Sequence, residues 1–345
     1  MAVALSGGAD SLASLILLQK SGLDLIPLHA HFFPETPRHS QIIDDLDLIC
    51  RNMGLTLHIL DLALEFEHLI IKPFISTYLK GHTPNPCALC NQKIKFGLLM
   101  DRAQELGAGF MATGHYAGIS AGPKGLSLWR GKDRLKDQSY FLSLVKPQVF
   151  AKVLFPLKET TKDRVFELLR QKGITPPQKE ESNEVCFIDD DYREFISQRV
   201  PARILNRPGP VTSRQGEKLG THKGLWRYTQ GQRRGLGIPH AHPLYVLEKK
   251  IEANTLVVGT AHELKTTACR AKNLNIHVDP GLWPEKVFVQ TRYRQKAQEA
   301  RVKIKDGLML VSFSRSGDAP APGQVAAAYS EHGQVLAAGI ITDTD

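Results

Sequence analysis

The stretch Ser6-Gly7-Gly8-Ala9-Asp10-Ser11 decides the fold of the first part of this 345-residue chain. It follows an apolar run that ends near Leu5 and precedes an apolar helical pattern that stops at Gly22. Glycines between a strand and a helix let the backbone approach phosphate, and the helix N-terminus stabilises negative charge. The spacing is not that of a Walker loop, so we expect it to bind the pyrophosphate of ATP during adenylation.

Asp10, inside this stretch, is a candidate Mg²⁺ ligand because carboxylate oxygens suit that cation. The alternative interpretation is a plain glycine-rich turn that binds no ligand. Its position directly after a strand and before a helix favours the nucleotide site.

The first 170 residues alternate short apolar runs with amphipathic helical patterns. Strands interleaved with helices predict a parallel sheet covered by crossover helices, the doubly wound α/β fold. After the first strand, the predicted strands span residues 25–33, 55–62 and 110–113. The predicted helices after the first cover residues 41–53, a Pro73-interrupted region up to residue 81, and residues 92–106.

Beyond Gly173 the chain becomes rich in Pro, Gly and basic residues, and period-two apolar patterns follow at residues 244–247 and 255–258. From about Thr266, the segments 287–289 and 308–311, separated by turn residues, predict a small all-β domain. A chain of this length exceeds one typical core, so we expect two or three domains.

The net charge of +9 lies mostly in the C-terminal part of the chain. Residues 1–150 contain 14 Lys and Arg against 13 Asp and Glu, whereas residues 151–345 contain 30 against 22. Such an excess suits a polyanion such as nucleic acid. No run approaches the ~18 apolar residues of a membrane span, and no export signal is present, so we expect a cytoplasmic protein without a membrane partner.

The five cysteines, an odd number without an export signal, argue against a disulfide framework and for thiols that react or hold metal. Cys87 and Cys90 form a CxxC pattern, which zinc sites, redox pairs and iron–sulfur clusters share. Asn91 is predicted to cap a helix from about Gln92, whose positive end would lower the pKa of a nearby thiol and give a reactive thiolate.

The other three cysteines have different expected roles. Cys186 follows a charged loop and is either a mobile thiol that approaches the CxxC pair or a buried structural thiol. Cys50 and Cys269 are better explained as small core residues.

Six patterns, including the glycine-rich stretch, occur along the chain in a definite order: Ser6 to Ser11; Thr83-Pro84-Asn85-Pro86 with Cys90-Asn91; Ala112-Thr113-Gly114-His115-Tyr116; Lys136-Asp137-Gln138-Ser139-Tyr140-Phe141-Leu142; Cys186-Phe187-Ile188; and Gln230-Gly231-Gln232-Arg233-Arg234-Gly235-Leu236-Gly237. Together they resemble the bacterial tRNA-specific 2-thiouridylase family of PP-loop, ATP-dependent tRNA thiolases. Thr291-Arg292-Tyr293-Arg294 and Pro322-Gly323-Gln324 match as well. The resemblance implies a PP-loop ATP-binding catalytic domain at residues 1–198, a small central tRNA-binding domain at 199–264 and a C-terminal β-barrel at 265–345.

The resemblance also implies a role for each matching residue. Cys90 would be the nucleophile and Cys186 the carrier of a persulfide. The residues implied in ATP binding are Ala4, Leu5, Ser6, Gly7, Gly8, Ala9, Asp10, Ser11, Ala30 and Gly114. The residues implied in tRNA binding are Asn85, Pro86 and Cys87 beside the target base, with His115, Lys136, Asp137, Gln138, Arg233, Arg234, Arg292, Tyr293 and Gln324.

Plainer interpretations exist for several of these residues. His115 would also be explained as a hydrogen-bonded histidine at a strand end, and residues 136–138 as a solvated turn. Residues 230–237 would form a basic hairpin, although Arg233 and Arg234 beside flexible glycines suit phosphate contacts.

The chain departs from the family pattern at two positions. Ala30 stands where a methionine near the adenine is common, and Cys87 stands where many members carry an acidic residue. With three cysteines available, Cys87, Cys90 and Cys186 are candidate ligands of a [4Fe–4S] cluster whose fourth iron binds sulfide.

The resemblance implies 2-thiolation of the wobble uridine, position 34, of Lys, Glu and Gln tRNAs, with ATP and Mg²⁺. The C2 oxygen would be adenylated, and sulfur would then arrive from a Cys186 persulfide that Cys90 resolves, or from sulfide on a cluster. The donor would be a persulfide relay protein or free sulfide. The rivals are another PP-loop adenylating enzyme and a non-enzymatic RNA-binding module with a structural zinc at Cys87 and Cys90.

Overall fold

The computed structural model describes residues 1–33, 36–122, 125–178, 185–188 and 191–342. The strands, in chain order, are β1 (Ala2–Ala4), β2 (Ile26–His31), β3 (His58–Asp61), β4 (Met111–Ala112), β5 (Ala117–Gly122), β6 (Gly125–Arg130), β7 (Val153–Leu154), β8 (Gly209–Thr212), β9 (Lys218–His222), β10 (Tyr245–Lys250), β11 (Thr255–Gly259), β12 (Lys265–Ile276), β13 (Val287–Gln290), β14 (Gln298–Lys305), β15 (Leu308–Asp318), β16 (Val325–Ser330) and β17 (Val335–Ile341).

The helices are of three kinds. The α-helices are Ala9–Gln19, Pro37–Asn52, Ala63–Phe66, Lys72–Leu79, Pro86–Cys90, Leu99–Glu105, Ser139–Leu142, Lys162–Gln171, Tyr192–Ser197 and Ala202–Leu205. The π-helices are Glu67–Ile71 and Asn91–Leu98, and the 3₁₀-helices are Pro147–Lys152, Leu225–Arg227 and Pro280–Leu282. Within the described ranges, no helix is long and apolar enough to span a membrane.

Five parallel strands form the first sheet, in the order β3-β2-β1-β4-β7. One face is covered by the helices Ala9–Gln19, Pro37–Asn52 and Lys162–Gln171, which share a buried cluster with Val3. The other face is covered by the helical region of residues 63–105, which shares a cluster with Leu28. Short apolar strands buried on both faces are typical of a parallel sheet, and the predicted doubly wound α/β fold is confirmed.

The carboxyl ends of β1 and β4 form the point at which the strand order reverses, since β1 is followed along the sheet by β2 on one side and β4 on the other. The glycine-rich stretch follows β1, and residues 113–116 follow β4. Ligands of open α/β sheets bind in the crevice at such a point. The topology therefore brings two sequence motifs to one edge of the sheet.

The central and C-terminal regions consist mainly of β-strands, with a few short helices. The central region is a four-stranded sheet in the order β10-β11-β8-β9, and the C-terminal region is a closed antiparallel barrel in the order β12-β15-β14-β13-β16-β17. Closing the sheet leaves no unpaired edge. The predicted β-barrel is confirmed.

Strand β16 is buried on both of its sides. Ala326 and Ala328 face the interior of the barrel, whereas Val325, Ala327 and Tyr329 belong to the core of the first domain. Because side chains alternate between the two faces of a strand, one strand contributes to two cores. The barrel therefore packs directly on the nucleotide domain.

The predicted start of the helix at the CxxC segment was wrong. The helix after the CxxC segment begins at Pro86, not near residue 92, and continues through the π-helix Asn91–Leu98 to Glu105. Asn85 is its N-cap, because its Oδ1 accepts a hydrogen bond from the Ala88 amide at 3.1 Å. Proline at the first helical position loses no hydrogen bond, which allows the helix to start before the cysteines.

Candidate active site

The glycine-rich loop leaves an open helix N-terminus at the edge of the sheet. Gly7 has φ of +84°, and a Cβ there would lie 2.9 Å from the Ile42 side chain. Gly8 is the N-cap of the helix Ala9–Gln19 and provides no side-chain cap, so amide groups of the first turn are left for an anion. The loop is braced internally by Ser11, whose Oγ accepts from the Ser6 amide at 3.2 Å and donates to the Gly8 carbonyl at 2.9 Å.

Gly114 holds the loop from the β4 side. A Cβ at this position would lie 2.7 Å from the Asp10 carbonyl carbon and 2.8 Å from the Ser11 amide nitrogen. Only glycine allows this approach, so β4 and the first turn of the helix are in direct contact. Gly114 thus contributes to the shape of the nucleotide site.

The other residues implied in ATP binding lie in β1 and β2, directly after β1, or at the start of the loop helix. Ala4 ends β1 and Ala30 lies in β2. Leu5 is buried, and its carbonyl lies 2.9 Å from the His29 Nδ1. Ala9 begins the loop helix. The structure therefore brings the ATP-site residues of both strands to one edge.

Asp10 is bound by two partners within the protein. Lys162 Nζ lies 2.8 and 3.0 Å from the two carboxylate oxygens, and the Tyr116 hydroxyl donates to Oδ1 at 2.7 Å. A Mg²⁺ ion held by Asp10 would share the carboxylate with this ammonium group, so nucleotide phosphates would have to supply most of its other ligands.

Lys162 was missed by the sequence analysis. It begins the helix Lys162–Gln171 and is only 9% exposed, yet its charge is placed beside the glycine-rich loop. A cation at this position favours a bound pyrophosphate. No local pattern distinguishes it from other lysines at helix starts, because only the packing of two helices places it here.

The three candidate thiols lie at the start of the long helix and on the segment 185–188. Cys87 and Cys90 are partly buried, Cys186 is exposed, and all five cysteines of the chain are free thiols. Phe187 anchors the segment, since its ring packs at 5.1 Å from Phe74 and 5.8 Å from Phe66. Cys50 and Cys269 are buried in the cores, as predicted.

The expected reactive thiolate is not confirmed. Burial raises the pKa of Cys87 to about 11 and that of Cys90 to about 12. The protein around the Cys186 thiol also raises its pKa by desolvation, although the residue as a whole is exposed. Cys90 is the fifth residue of the long helix of residues 86–105 and so lies near its N-terminus. Desolvation is nevertheless the largest influence on its pKa and outweighs any effect of the helix dipole.

Lys95, also missed from the sequence, opposes this effect at all three thiols. Its charge lowers the pKa of Cys87, Cys90 and Cys186 against the effect of burial. It lies five residues after Cys90 in the π-helix Asn91–Leu98, in which one turn closes at i+5. The π-helix therefore places Lys95 one turn from Cys90, and π-helical turns are frequent at functional sites.

His115 is buried against Lys95. Its Nε2 lies 3.4 Å from Lys95 Nζ and its Nδ1 lies 2.7 Å from Thr113 Oγ1. Burial and then the charge of Lys95 lower its pKa well below the ordinary value, so the ring is neutral and accepts from the ammonium group. Both ring nitrogens are engaged, which favours the interpretation of a hydrogen-bonded strand-end histidine that positions Lys95.

The thiols do not form a metal site as they stand. In the described part of the chain, no three His, Cys, Asp or Glu side chains are grouped so that they could hold a metal ion. The arrangement therefore does not fit a cluster ligated by Cys87, Cys90 and Cys186.

The residues implied in tRNA binding are divided between the interior and the surface. Asp137 is buried and accepts from Arg130 Nη1 at 2.7 Å, and Gln138 Oε1 accepts from the Tyr116 amide at 3.0 Å. A fully solvated turn is therefore the wrong interpretation for this motif. Lys136, Asn85 and Cys87 are half-buried and Pro86 is buried.

The surface residues lie on the two β domains. Arg292 is exposed, and Tyr293 packs on Phe141 with ring centroids 4.3 Å apart. Arg233 and Arg234 are exposed on a loop of the central domain, residues 230–237, that also contains three glycines with positive φ. Gln324 donates hydrogen bonds to the carbonyls of Thr83 and Pro84, just before the helix that carries Cys87 and Cys90.

An α/β nucleotide domain with a phosphate-binding loop, thiols near its open edge and two appended β domains define the class of PP-loop enzymes with RNA-binding appendages. Family models match all three regions: the tRNA methyl transferase HUP domain at residues 1–190, the tRNA methyl transferase PRC-barrel domain at 193–260 and the aminomethyltransferase β-barrel domain at 266–341.

Full-length relatives give the particular family. Proteins named tRNA-specific 2-thiouridylase MnmA are 47% identical in Nitratidesulfovibrio vulgaris strain Miyazaki F and 48% identical in Oleidesulfovibrio alaskensis, each over 99% of this chain and 98% of the relative. The protein of the same name in Lawsonia intracellularis is 42% identical over 99% of both chains. This chain belongs to the tRNA-specific 2-thiouridylase family.

Proposed function

We propose that this chain is an ATP-dependent enzyme that replaces the C2 oxygen of uridine 34 in tRNA with sulfur, carried as a persulfide on Cys186. One chain of contacts supports the proposal. Gly114 contacts the glycine-rich loop at Asp10. The next residue, His115, contacts Lys95, and the charge of Lys95 lowers the pKa of all three thiols. The nucleotide site and the thiols therefore form one reaction centre.

In the first step, the uridine C2 oxygen attacks the α-phosphate of ATP, and the bond between the α- and β-phosphates breaks. The amides after Gly8 and the charge of Lys162 stabilise the departing pyrophosphate. Mg²⁺ bound with the nucleotide would neutralise further phosphate charge. The product is a C2-adenylated base with a good leaving group.

In the second step, the outer sulfur of the Cys186 persulfide attacks C2, and AMP leaves with the oxygen. The base is then joined to Cys186 by an S–S bond. The Cys90 thiolate attacks the Cys186 sulfur, releasing 2-thiouridine and leaving a Cys90–Cys186 disulfide. An external thiol reductant restores both thiols, and a persulfide-carrying protein reloads Cys186.

Burial and Lys95 together control the reactivity of Cys90. Burial keeps its thiol protonated at neutral pH, which protects it from random oxidation. Lys95 supplies the positive charge that stabilises the thiolate when it is needed, and His115 fixes the lysine head group. We therefore assign Lys95 to sulfur transfer and His115 to its positioning.

The target base must leave the anticodon stack to reach this centre. Asn85, Pro86 and Cys87 would lie beside it, while the exposed Arg233, Arg234 and Arg292 hold the surrounding phosphates. We propose Lys, Glu and Gln tRNAs as the acceptors. Transcripts of these tRNAs, each compared with its U34→C form, test the choice.

The central test is a Cys90→Ser variant incubated with tRNA, ATP, Mg²⁺ and a persulfide donor. Nucleoside mass spectrometry should find no 2-thiouridine, while nucleotide binding measured by calorimetry stays unchanged. Cys50→Ala, which alters a buried cysteine in the helix Pro37–Asn52, is the matched control and should remain active. A fully active Cys90→Ser variant would contradict the mechanism.

Two alternatives are separated by simple observations. Protein purified without oxygen that contains iron and shows a broad sulfur-to-iron absorption band would replace the persulfide route by a cluster. A PP-loop enzyme that transfers an amine would release pyrophosphate with tRNA but yield no 2-thiouridine. A non-enzymatic RNA-binding module would release no pyrophosphate at all.

A further inference from the structure

The segment Thr83-Pro84-Asn85-Pro86 leads into the helix that carries Cys87 and Cys90, here called the cysteine helix, and has few backbone N–H groups with which to stabilise its own conformation. Two of its four residues are prolines, which lack a backbone N–H. The carbonyl groups of Thr83 and Pro84 accept hydrogen bonds from donors elsewhere in the protein. Those donors come from the turn of the C-terminal barrel that precedes β16.

The barrel turn contacts this segment at three points. The Thr83 amide donates to the Pro322 carbonyl at 2.7 Å. Gln324 Nε2 donates to the Thr83 carbonyl at 3.2 Å and to the Pro84 carbonyl at 2.7 Å. Both hydrogens of the Gln324 amide group are thus used inside the protein, and neither is left for a phosphate of RNA.

The contact is also sterically tight. Gly323 has φ of +92°, and a Cβ there would lie 2.7 Å from the Thr83 carbonyl oxygen and 3.1 Å from His82 Cβ. Glycine is required both by the backbone conformation and by the approach of the two chains. The turn and the segment therefore fit in one arrangement.

A second connection reaches Asn85. The Tyr140 hydroxyl is buried, donates to the Val325 carbonyl at 3.0 Å and is hydrogen-bonded to the Asn85 side chain. The Asn85 Oδ1 caps the cysteine helix at the Ala88 amide. Asn85 is consequently fixed between the barrel and the helix that carries Cys87 and Cys90.

We propose that the barrel turn of residues 322–325 is a clamp that positions the base-binding segment 83–85, and that Gln324 is a positioning residue that acts through this segment. The clamp makes the geometry of the reaction centre depend on the C-terminal barrel. The inference rests on the proposed function, since it assumes that segment 83–90 receives the target base.

The test compares Gln324→Met, which keeps the side-chain length but removes both hydrogen bonds, with Gln334→Met. Gln334 is a matched control because its Nε2 also donates from the barrel to the first domain, at Ser127 Oγ 2.9 Å away. We expect Gln324→Met to slow single-turnover thiolation at saturating tRNA by about tenfold or more, because small misplacements of a reacting group have large effects. Its Kd for tRNA should change by less than about twofold. Gln334→Met should leave both within about twofold.

A second variant distinguishes loss of the clamp from general misfolding. Tyr140→Phe keeps the buried ring and removes only the hydroxyl that joins Val325 and Asn85, and it should show the same loss of rate with an unchanged Kd. In both variants, amide hydrogen exchange of residues 83–91 in the ligand-free protein should become faster, while the exchange of β16 stays unchanged.

Each result has a clear consequence. A Gln324→Met variant with a weaker Kd and an unchanged rate at saturating tRNA overturns the clamp and makes Gln324 an RNA contact. Unchanged exchange of residues 83–91 also overturns it. If the wild-type protein does not thiolate tRNA but exchange still accelerates in both variants, the clamp stands and the proposed function fails.

Discussion

At the scale of single residues, the reactivity of Cys90 depends on two opposed effects, burial and the charge of Lys95. Burial raises its pKa to about 12, so the thiolate fraction, and with it alkylation, should rise about tenfold per pH unit from pH 7 to pH 10 without a plateau. Lys95→Met removes the opposing charge, and the pKa should rise further. The rate of Cys90 alkylation by iodoacetamide should then fall roughly tenfold throughout this range.

The peptide that contains Cys90 is followed by mass spectrometry in a Cys87→Ser background, so that a single thiol is counted. Lys93→Met is the matched control, because Lys93 is exposed on the same π-helix. Lys95→Arg should restore most of the wild-type rate. Equal alkylation in wild type and Lys95→Met would show that the lysine does not act on Cys90.

Lys162 carries the second residue-scale prediction. Lys162→Met leaves the partly buried Asp10 carboxylate without its ammonium partner, so we expect a loss of about 2 kcal/mol in the free energy of unfolding. ATP affinity should fall about tenfold, because a cation beside the phosphate loop is lost. Calorimetry and urea unfolding measure the two effects. Lys172→Met, at the exposed end of the same helix, should change neither.

Single residues differ in how far the sequence identifies them. The glycine-rich loop was predicted from its place between a strand and a helix, whereas the role of Gly114 was implied only by the resemblance to the family. Lys95 and Lys162 were missed because the sequence leaves open which neighbours a lysine meets after folding. The pKa of Cys90 was predicted in the wrong direction, because a helix dipole is visible in a pattern and desolvation is not.

At the scale of elements, the cysteine helix depends on a proline, a cap and a π-helical insertion. Pro84-Asn85-Pro86 was expected to be an approach to a later helix, with Asn91 as the cap. Instead Asn91 is buried and its Nδ2 donates to the Phe141 carbonyl at 3.2 Å. Asn85 and Asn91 are both of a residue type that favours the N-cap position. Only the packing of Asn91 against Phe141 shows that Asn85 is the cap.

Gly97, within this helix, and Gly107, just after its end, lead to opposite predictions for the stability of the protein. Gly97 is helical, and a Cβ would lie 3.4 Å from the Gln92 carbonyl, so Gly97→Ala should stabilise the protein by about 0.5–1 kcal/mol with thiolation retained. Gly107 follows the helix end with φ of +85°, so Gly107→Ala should destabilise it by about 1 kcal/mol. Thermal unfolding measures both variants. Lost thiolation in a stabilised Gly97→Ala protein would mean that this glycine maintains the register of Lys95 and Cys90.

At the scale of the whole molecule, the C-terminal barrel packs on the nucleotide domain through β16. The α/β region and the all-β region were predictable because helix and strand patterns are local features of the chain, whereas the closed barrel was implied by the resemblance to the family. The contact of β16 with the nucleotide domain was not predictable. Its sequence Val325–Ser330 is apolar at successive positions, which signals burial on both faces but does not identify the partner.

The positive charge of the C-terminal part gives the last prediction. Each phosphate contact releases counterions, so the logarithm of the tRNA association constant should fall linearly with the logarithm of salt concentration. Arg292 is exposed on the barrel beside Tyr293, and Arg292→Ala should weaken binding about three- to tenfold and reduce the magnitude of this slope by about one. Arg51→Ala, on an exposed face of the nucleotide domain, should leave the slope unchanged. An identical slope for Arg292→Ala would place the RNA on another surface, with the arginine pair at residues 233 and 234 as the next to be tested.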